Sequence, residues 1–530
     1  MQIAFLQLIP CLGDIQKNST RIIRAMEDNA GADIYLCPVN SLCGTNLGSW
    51  ANFSSFSHDV QHGLETIAKE TQAALLLPAV FFGDGGKEEQ SIYFVRRGRL
   101  KKVPMISVGP QGNESSQCVV TTGSILWNDT PITLLFVISR HFVHRPLQPF
   151  SFFNDPTSTC MLPKGRALFI FTLHPWWNGF ERQLEEDARD IARSLRTHVL
   201  LANSVGIEDG KLYHGQSAAF DPLGGMLLRT RAFTESTVTC DLAERLCDIT
   251  QHFPLDGTEA YLWSALVFGV REFVRAAGAN SVYIGVSGGM DSAIVLALAC
   301  EALGAEHVHA VFMPSPYTSK ESERDVLLLA SRFGVELVTI PIEPLMQAFS
   351  QALSPAFSTI PKREGDTTAE NIQARIRAVL LCALANRAQA LILNTSNKSE
   401  LAMGYSTLYG DSIGALSVLG DVLKTEVYAL AAWYNTAHPA CAIPESILAK
   451  QPSAELKPNQ KDSDSLPPYA ELDPIILGIL NGDDAPNYLR DALGKAEFKR
   501  RQAPVSLMVS QSAFGHVWRN PLSGRLAHSQ

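Results

Sequence analysis

The 530-residue sequence has no Lys and Arg block long enough for a nucleic-acid arm, no apolar run of membrane length and no Cys-x-x-Cys pair. Each absence removes a class of function. With 53 acidic against 44 basic residues the formal charge is -9, so phosphate neutralisation along a nucleic acid is not expected. A membrane-spanning helix needs about 20 predominantly apolar residues in sequence, and none stands here. Met1 to Pro10 is a short alternating strand without a basic leader, and the chain reads as soluble and cytoplasmic, with no membrane partner. The 10 cysteines lack zinc spacing and read as reduced core residues, Cys300 and Cys382 on apolar helix faces among them. His141 and His144 are three apart with no second ligand pair nearby, so a structural metal is not expected.

The length exceeds what one core organises, and 46% apolar residues suffice for two. The composition and pattern divide near residue 250, giving domains 1–248 and 249–530. Before the division, strands at Gln2 to Leu8, Ile34 to Pro38, Ala73 to Pro78, Ser91 to Arg96, Thr133 to Ile138, Ala167 to Leu173, His198 to Asn203 and Ser217 to Asp221 come with helices Lys17 to Asn29 and Arg182 to Arg196. That pattern predicts an α/β sandwich. Asp221-Pro-Leu-Gly-Gly225 reads as a hairpin turn into a strand at Met226 to Arg229. After the division, helix Glu259 to Ala276 leads into strands Val282 to Val286, His307 to Met313, Glu336 to Pro341 and Ala390 to Asn394. These alternate with helices Ala293 to Leu303, Ser322 to Phe333 and Ala369 to Arg387, the pattern of a doubly wound parallel sheet. Lys457 to Pro468, polar and proline-containing, reads as an ordered loop or lid.

The strongest local signal is Ser287-Gly288-Gly289-Met290-Asp291-Ser292, placed between the strand ending in Gly285 and Val286 and the next helix. Adjacent glycines admit close backbone approach, and a helix N-terminus attracts an anion, so the loop suits a phosphate. It lacks the lysine of a Walker A loop and the glycine spacing of a dinucleotide fold. It resembles instead the pyrophosphate loop of ATP pyrophosphatases that form adenylates. Asn394-Thr-Ser-Asn-Lys-Ser-Glu400 puts a second carboxylate at a helix start across the sheet edge, so Asp291 and Glu400 are candidate magnesium ligands. Taken singly, each is equally a helix-start carboxylate in a capping role. On the helix carrying Asn371-Ile-Gln-Ala-Arg-Ile-Arg377, Asn371 and Arg375 share a face for an acidic substrate or for solvent, and Arg377 points elsewhere.

These segments, with Met313-Pro-Ser-Pro-Tyr-Thr-Ser319, Tyr409-Gly-Asp411, Asp421-Val-Leu-Lys-Thr425, Pro452-Ser-Ala-Glu-Leu456 and Phe498-Lys-Arg-Arg-Gln502, closely resemble the synthetase domain of glutamine-dependent NAD synthases. The resemblance implies ATP contacts from Gly285 through Ser292 and from Thr395, Lys424 and Ser453. It implies magnesium at Asp291 and Glu400, and deamido-NAD at Asn371, Arg375, Glu400, Asp411 and Lys499. The sequence departs at Ser396 and Ala415, where glycine is usual, and in the tail Val509 to Arg519, which lacks much of the basic run. The implied reaction turns a carboxylate into an acyl adenylate that ammonia attacks, with positioning and charge stabilisation in place of a covalent nucleophile.

Met1-Gln-Ile-Ala-Phe-Leu-Gln-Leu8, followed by Gly13-Asp14 and Asn18, is similar to the start of the nitrilase-type amidase domain of these enzymes. The resemblance implies an α-β-β-α sandwich ahead of an ATP pyrophosphatase (adenine nucleotide alpha hydrolase-like) domain. Such amidases need a Glu base, a Lys and a Cys nucleophile. Here Val39 stands at the glutamate position, Ile138-Ser-Arg140 ends the strand that should carry the cysteine, and Lys102 or Lys101 is a remnant at the lysine position. Cys37, Cys43 and Ser139 have no recognisable base at the matching position. The expectation is a NAD synthase with a catalytically dead amidase domain kept as scaffold, using ATP, magnesium, deamido-NAD and free ammonia, and assembling as a homo-oligomer. Two alternatives stay open: a ligase joining ammonia from a separate donor protein, or another amine, to a pyridine carboxylate; and a non-catalytic nucleotide-binding regulator.

Overall fold

The computed structural model describes residues 1–44, 55–82, 88–107, 118–139, 167–243, 258–481 and 483–510. The chain forms two compact units, Met1–Leu255 and Asp256–Gln530.

In the first unit one sheet runs β15 (Ser236–Asp241), β1 (Gln2–Gln7), β2 (Ile34–Leu36), β3 (Ala74–Phe82), β4 (Glu88–Arg96), β5 (Arg99–Lys102), and another β14 (Met226–Arg229), β13 (Ala218–Phe220), β10 (His198–Asn203), β9 (Ala167–Leu173), β8 (Thr130–Ser139), β7 (Cys118–Trp127), β6 (Ile106–Ser107). Strand β1 (Gln2–Gln7) shows how period-two alternation builds the layers. Ile3 and Phe5 enter a core shared with Ile132, Leu134, Phe169 and Leu200 of the other sheet. Ala4 and Leu6 turn the opposite way, onto Ile22 of α1 (Ile15–Asp28) and Leu64 and Ile67 of α2 (Phe56–Glu70). Helix α3 (Phe180–Leu195) buries Phe180, Leu184, Ala188 and Ile191 and packs on β10 (His198–Asn203) and β13 (Ala218–Phe220) of the second sheet. The result is the expected α-β-β-α sandwich. Asp221 closes the β13–β14 hairpin as anticipated, accepting from the amides of Leu223 at 2.7 Å and Gly225 at 2.8 Å.

Some elements were not read from the sequence. β15 (Ser236–Asp241) is polar at most positions, yet it pairs antiparallel with β1 from Gln2↔Asp241 to Gln7↔Ser236. Its strand character comes from the partner it meets rather than from its own pattern. The reading of Cys300 and Cys382 as core is corrected: Cys300 is half-buried because it lies just beyond the run of its helix buried from Ser292 to Ala299, and Cys382 is exposed, off the face that buries Leu381 and Ala385. Both, like Cys11, Cys37, Cys43, Cys240 and Cys441, are free thiols. His141, His144 and Arg140 lie outside the described residues. No described helix is long and apolar enough to cross a membrane.

The second unit carries a sheet ordered β18-β17-β16-β19-β20-β21, parallel at every pairing. The strands are β16 (Val282–Val286), β17 (Val308–Phe312), β18 (Glu336–Thr339), β19 (Leu391–Asn394), β20 (Leu416–Ser417) and β21 (Val505–Ser506). The chain winds outward through β17 to β18, then returns across β16 to β19. The strand order therefore reverses beside β16, and a crevice opens at the carboxyl ends there. Helix α5 (Met290–Leu303), which follows the glycine loop, is buried from Ser292 to Ala299 without a polar face. It lies between the sheet and the helices α4 (Thr258–Ala276) and α10 (Lys424–Ala437), so every side meets protein. A buried ion pair, Lys398 Nζ to Asp421 Oδ1 at 2.8 Å, ties the helix α9 (Lys398–Met403) to the last described residues. Asp421 Oδ2 accepts from the amides of Val509 at 2.7 Å and Ser510 at 2.6 Å, which completes the satisfaction a buried charge needs.

Candidate active site

The glycine loop adopts the shape its residues allow. Gly288 has φ +77, and a Cβ there would sit 2.7 Å from the Ser322 carbonyl oxygen, so no other residue fits. Ser292 Oγ donates to the Gly289 carbonyl at 3.1 Å and accepts from the Ser287 amide at 3.3 Å, folding the loop back onto its own helix. No side chain caps α5 at Gly289. The amides of its first turn and the positive end of its dipole are left for a ligand anion.

That loop forms one wall of a cavity of about 290 Å³ at the carboxyl ends of β16, β17 and β19. Of the residues singled out from the sequence, Gly285, Val286, Ser287, Gly289, Met290, Asp291, Ser292, Thr395, Glu400, Asp411, Lys424 and Ser453 line it. Gly288 sits behind the loop against Ser322. Asn371, Arg375 and Lys499 are not in the wall but brace it. Thr407 Oγ1 donates to Asn371 Oδ1 at 2.7 Å, Arg375 Nε donates to the Leu408 carbonyl at 3.2 Å, and Lys499 Nζ donates to the Gly404 carbonyl at 2.7 Å and the Ser406 carbonyl at 2.5 Å. All three hold the segment that carries Asp411.

Asp291, Lys424 and Glu400 form the charged centre. Lys424 Nζ contacts Asp291 Oδ2 and lies 3.6 Å from Glu400 Oε1. Glu400 does serve as a helix cap: its amide donates to Asn397 Oδ1 at 3.0 Å, and its carboxylate accepts from the Asn397 amide at 3.4 Å. Asn397 also donates to Asp291 Oδ1 at 3.1 Å, so the capping box brings the two carboxylates to one point. Burial, then the Asp291 charge, pushes the Glu400 carboxyl up. Burial alone would lower Lys424, but Asp291 and Glu400 outweigh it and hold the ammonium more firmly than usual. Two carboxylates with one shared cation suit a divalent ion that also takes phosphate oxygens and water. No set of three potential metal ligands converges among the described residues.

Other wall residues were missed. Arg377 points away from the 371/375 face, as expected, and that direction is the cavity: it lines the wall and donates from Nε to the Met313 carbonyl at 3.0 Å, while α8 (Thr368–Ala388) turns its 371/375 face to the bracing loop. Burial lowers its pKa to about 10 against the opposing charges of Asp411 and Glu455. Lys450 and Glu455 pair at 3.3 Å, and Glu455 accepts from Ser319 Oγ at 2.9 Å and Ser322 Oγ at 2.8 Å. This fastens the segment after α11 (Glu445–Ala449) to the start of α6 (Lys320–Phe333). Glu455 lies inside the Pro452 to Leu456 motif, which was the available signal. Tyr405 and Asp462 also line the cavity, Asp462 from the stretch read as a loop or lid. Asp411 is exposed where it opens onto the cavity, and the protein crowded around its carboxyl raises it to about 6 against the Thr407 amide and Lys499. Ser396 is in the wall, so that departure from the family pattern touches the site.

The positions expected from the sequence to correspond to amidase residues in the first unit look different. Val39 is 3% exposed and packs in the inter-sheet core, and its carbonyl accepts from Ser204 Oγ at 2.9 Å. Asn40 beside it is buried with φ +62, and neither amide atom has a hydrogen-bond partner. Lys102 is exposed on β5 (Arg99–Lys102), opposite Tyr93. The Ile138 backbone pairs with Val119 and Leu173 near the end of β8 (Thr130–Ser139). Burial pushes the Cys37 thiol far up, away from thiolate.

Residues 262–514 match the NAD synthase family model. A glutamine-dependent NAD(+) synthetase of Synechocystis sp. is 33% identical over 560 residues, covering 98% of each chain. That of Thermotoga maritima is 38% identical over 590 residues, covering 99% of each. The solved glutamine-dependent NAD+ synthetase of Acinetobacter baumannii, in complex with ADP, superposes with a TM-score of 0.74 at 26% identity over 98% of both chains. With full-length similarity, an adenylating-type loop and both expected folds in place, the chain belongs to the glutamine-dependent NAD(+) synthetase family.

Proposed function

We propose that this protein is a carbon-nitrogen ligase that makes NAD from deamido-NAD and ATP through an acyl adenylate, drawing its nitrogen from free ammonia. The observation that carries the synthetase half is the Ser287 to Ser292 loop opening onto one cavity with Asp291, Glu400 and Lys424. The loop amides and Lys424 hold the β- and γ-phosphates, whose charge grows as pyrophosphate leaves. Asp291 and Glu400 would hold magnesium, which supplies positive charge to the same oxygens. Asn371, Arg375 and Lys499 act by fixing the segment that presents Asp411 to the dinucleotide. A carboxylate is a poor acyl donor, and adenylation gives it AMP as leaving group.

The nitrogen source separates this chain from relatives named for glutamine dependence. A glutamate base must reach a substrate, and Val39 at that position is sealed in apolar core. Lys102 faces solvent, and Cys37 is held as a thiol. The experiment supplies purified protein with ATP, magnesium and deamido-NAD, and either ammonium or glutamine. NAD and pyrophosphate are expected with ammonium only. Equal turnover with glutamine, abolished by a thiol reagent, would refute ammonia dependence, and no pyrophosphate with either would refute the ligase.

A further inference from the structure

The glycine loop leans on a network that the adenylation chemistry described above does not use. Gly288 packs on the first turn of α6, where a Cβ would meet the Ser322 carbonyl oxygen at 2.7 Å and the Ser322 Cα at 2.9 Å. Ser322 is fully buried and is held in turn by Glu455. Its hydroxyl donates to Glu455 Oε1 at 2.8 Å, Ser319 Oγ donates to the same oxygen at 2.9 Å, and the Ser319 amide reaches Glu455 Oε2 at 3.4 Å. Lys450 Nζ donates to Ser322 Oγ and lies 3.3 Å from Glu455 Oε1. Glu455 and Lys450 also line the cavity. A carboxylate facing a phosphate pocket opposes the ligand unless its charge is taken up by donors of its own, and here two hydroxyls, an amide and an ammonium do so. Glu455 has φ +47, a strained value for a residue with a Cβ. The strain persists because the Glu455 amide donates to Ser453 Oγ at 3.2 Å, and because the Leu456 amide donates to Gln460 Oε1 at 2.8 Å and its carbonyl accepts from Gln373 Nε2 of α8 at 2.9 Å.

Resting on the synthetase reading above, we propose that Glu455 is a positioning residue for the pyrophosphate loop, acting through Ser322 on Gly288 and through Lys450 on the cavity wall. Loop amides hold an anion only while they converge on it, and their convergence depends on the surface against which Gly288 is pressed. That surface is the Ser322 backbone, so a shift in the first turn of α6 passes directly to the loop. Ser319 is the N-cap of α6, its Oγ accepting from the Ser322 amide at 3.1 Å, so Glu455 grips the cap and the residue it caps together. Through the same carboxylate Lys450 is kept in the wall as a second cation after Lys424, available to the charge that grows as pyrophosphate leaves. Without Glu455 its four-carbon stem is free to swing away. Ser453, which accepts from the Glu455 amide, lines the same cavity, so one turn carries both a nucleotide-facing hydroxyl and the support behind the loop.

The test uses the full chain and two ligands titrated separately by calorimetry, a non-hydrolysable ATP analogue and deamido-NAD. Glu455→Ala and Ser322→Ala are each expected to weaken the analogue by about fivefold or more. The double variant is expected to lose no more than Glu455→Ala alone, because the two residues act along one chain of contacts. Glu455→Gln keeps an oxygen for the hydroxyls and is expected to recover most of the analogue affinity, while kcat for pyrophosphate release stays low because Lys450 is no longer paired. Deamido-NAD affinity is expected to stay within about twofold of the parent in every variant. Where Glu455→Ala does not fold, Ser319→Ala takes its place in the same cycle. Unchanged analogue affinity in both single variants overturns the proposal, as does strict additivity in the double variant. An equal loss for deamido-NAD overturns it too, since the whole unit would then have loosened, and a Glu455→Gln variant as weak as Glu455→Ala overturns the route through the hydroxyls. A parent protein that binds the analogue yet releases no pyrophosphate with deamido-NAD and ammonium overturns the synthetase reading itself, a separately visible failure.

Discussion

At the scale of single residues, the site depends on a few positions where chemistry and geometry coincide. Asp291 is held by Lys424 and Asn397, so Asp291→Asn keeps the shape and removes the charge. It is expected to cut NAD formation by at least about 100-fold while the thermal midpoint changes little. Activity near the parent level would remove Asp291 from the phosphate and metal site. Gly288→Ala forces a Cβ to within 2.7 Å of the Ser322 carbonyl at a positive φ. A loss of about 1–3 kcal/mol and weaker nucleotide binding are expected, measured by denaturant unfolding and ATP titration. Val39→Glu, which tests the proposed loss of the amidase base, places a carboxylate among Ile3, Phe5 and Leu36. The first unit is expected to unfold at lower denaturant without gaining glutaminase activity, and a stable variant that hydrolyses glutamine would contradict the sealed-core account.

At the scale of elements, the packing of α3 against its sheet has a pH signature. His174 stacks on Phe180 at 4.4 Å, and burial lowers it to about 4; burial likewise lowers His214 to about 3, helped by His174 and Arg229. The unfolded imidazoles take protons near the ordinary histidine value of 6.5, but the folded ones do not until the lower values. Between these limits the unfolded state binds more protons. The stabilisation is therefore complete above pH about 6.5 and drains as the pH falls toward 4 and then 3, by up to about 1.4 kcal/mol per pH unit for each histidine. Urea midpoints measured from pH 7 to 4.5 should fall, and His214→Asn should flatten the decline. A midpoint constant over that range would mean that the imidazoles do not govern it.

At the scale of the molecule, two units with separate cores behave as two folding problems. Calorimetry should resolve two transitions. A non-hydrolysable ATP analogue at about 100 times its Kd should stabilise the transition of the second unit by about 2.7 kcal/mol and leave the first in place. Movement of both together would show that the units unfold as one.

Local chemistry determined what was legible beforehand. The Ser287 to Ser292 loop and the parallel strand and helix alternation around it are written in consecutive residues, where glycine, β-branched runs and charged helix starts have short-range causes. The hairpin at Asp221 was legible for the same reason. Long-range partnership decided the rest. β15 is a strand because β1 pairs with it, and Arg377 faces the cavity because the other face of α8 is claimed by the 404–411 segment. Asp462 is a buried acid only because Pro452, Tyr469 and Leu466 fold around it. Spacing along a chain specifies which side chains share a face. Which face meets solvent, core or cavity is set by packing between residues far apart in the sequence, and that the tertiary structure alone decides.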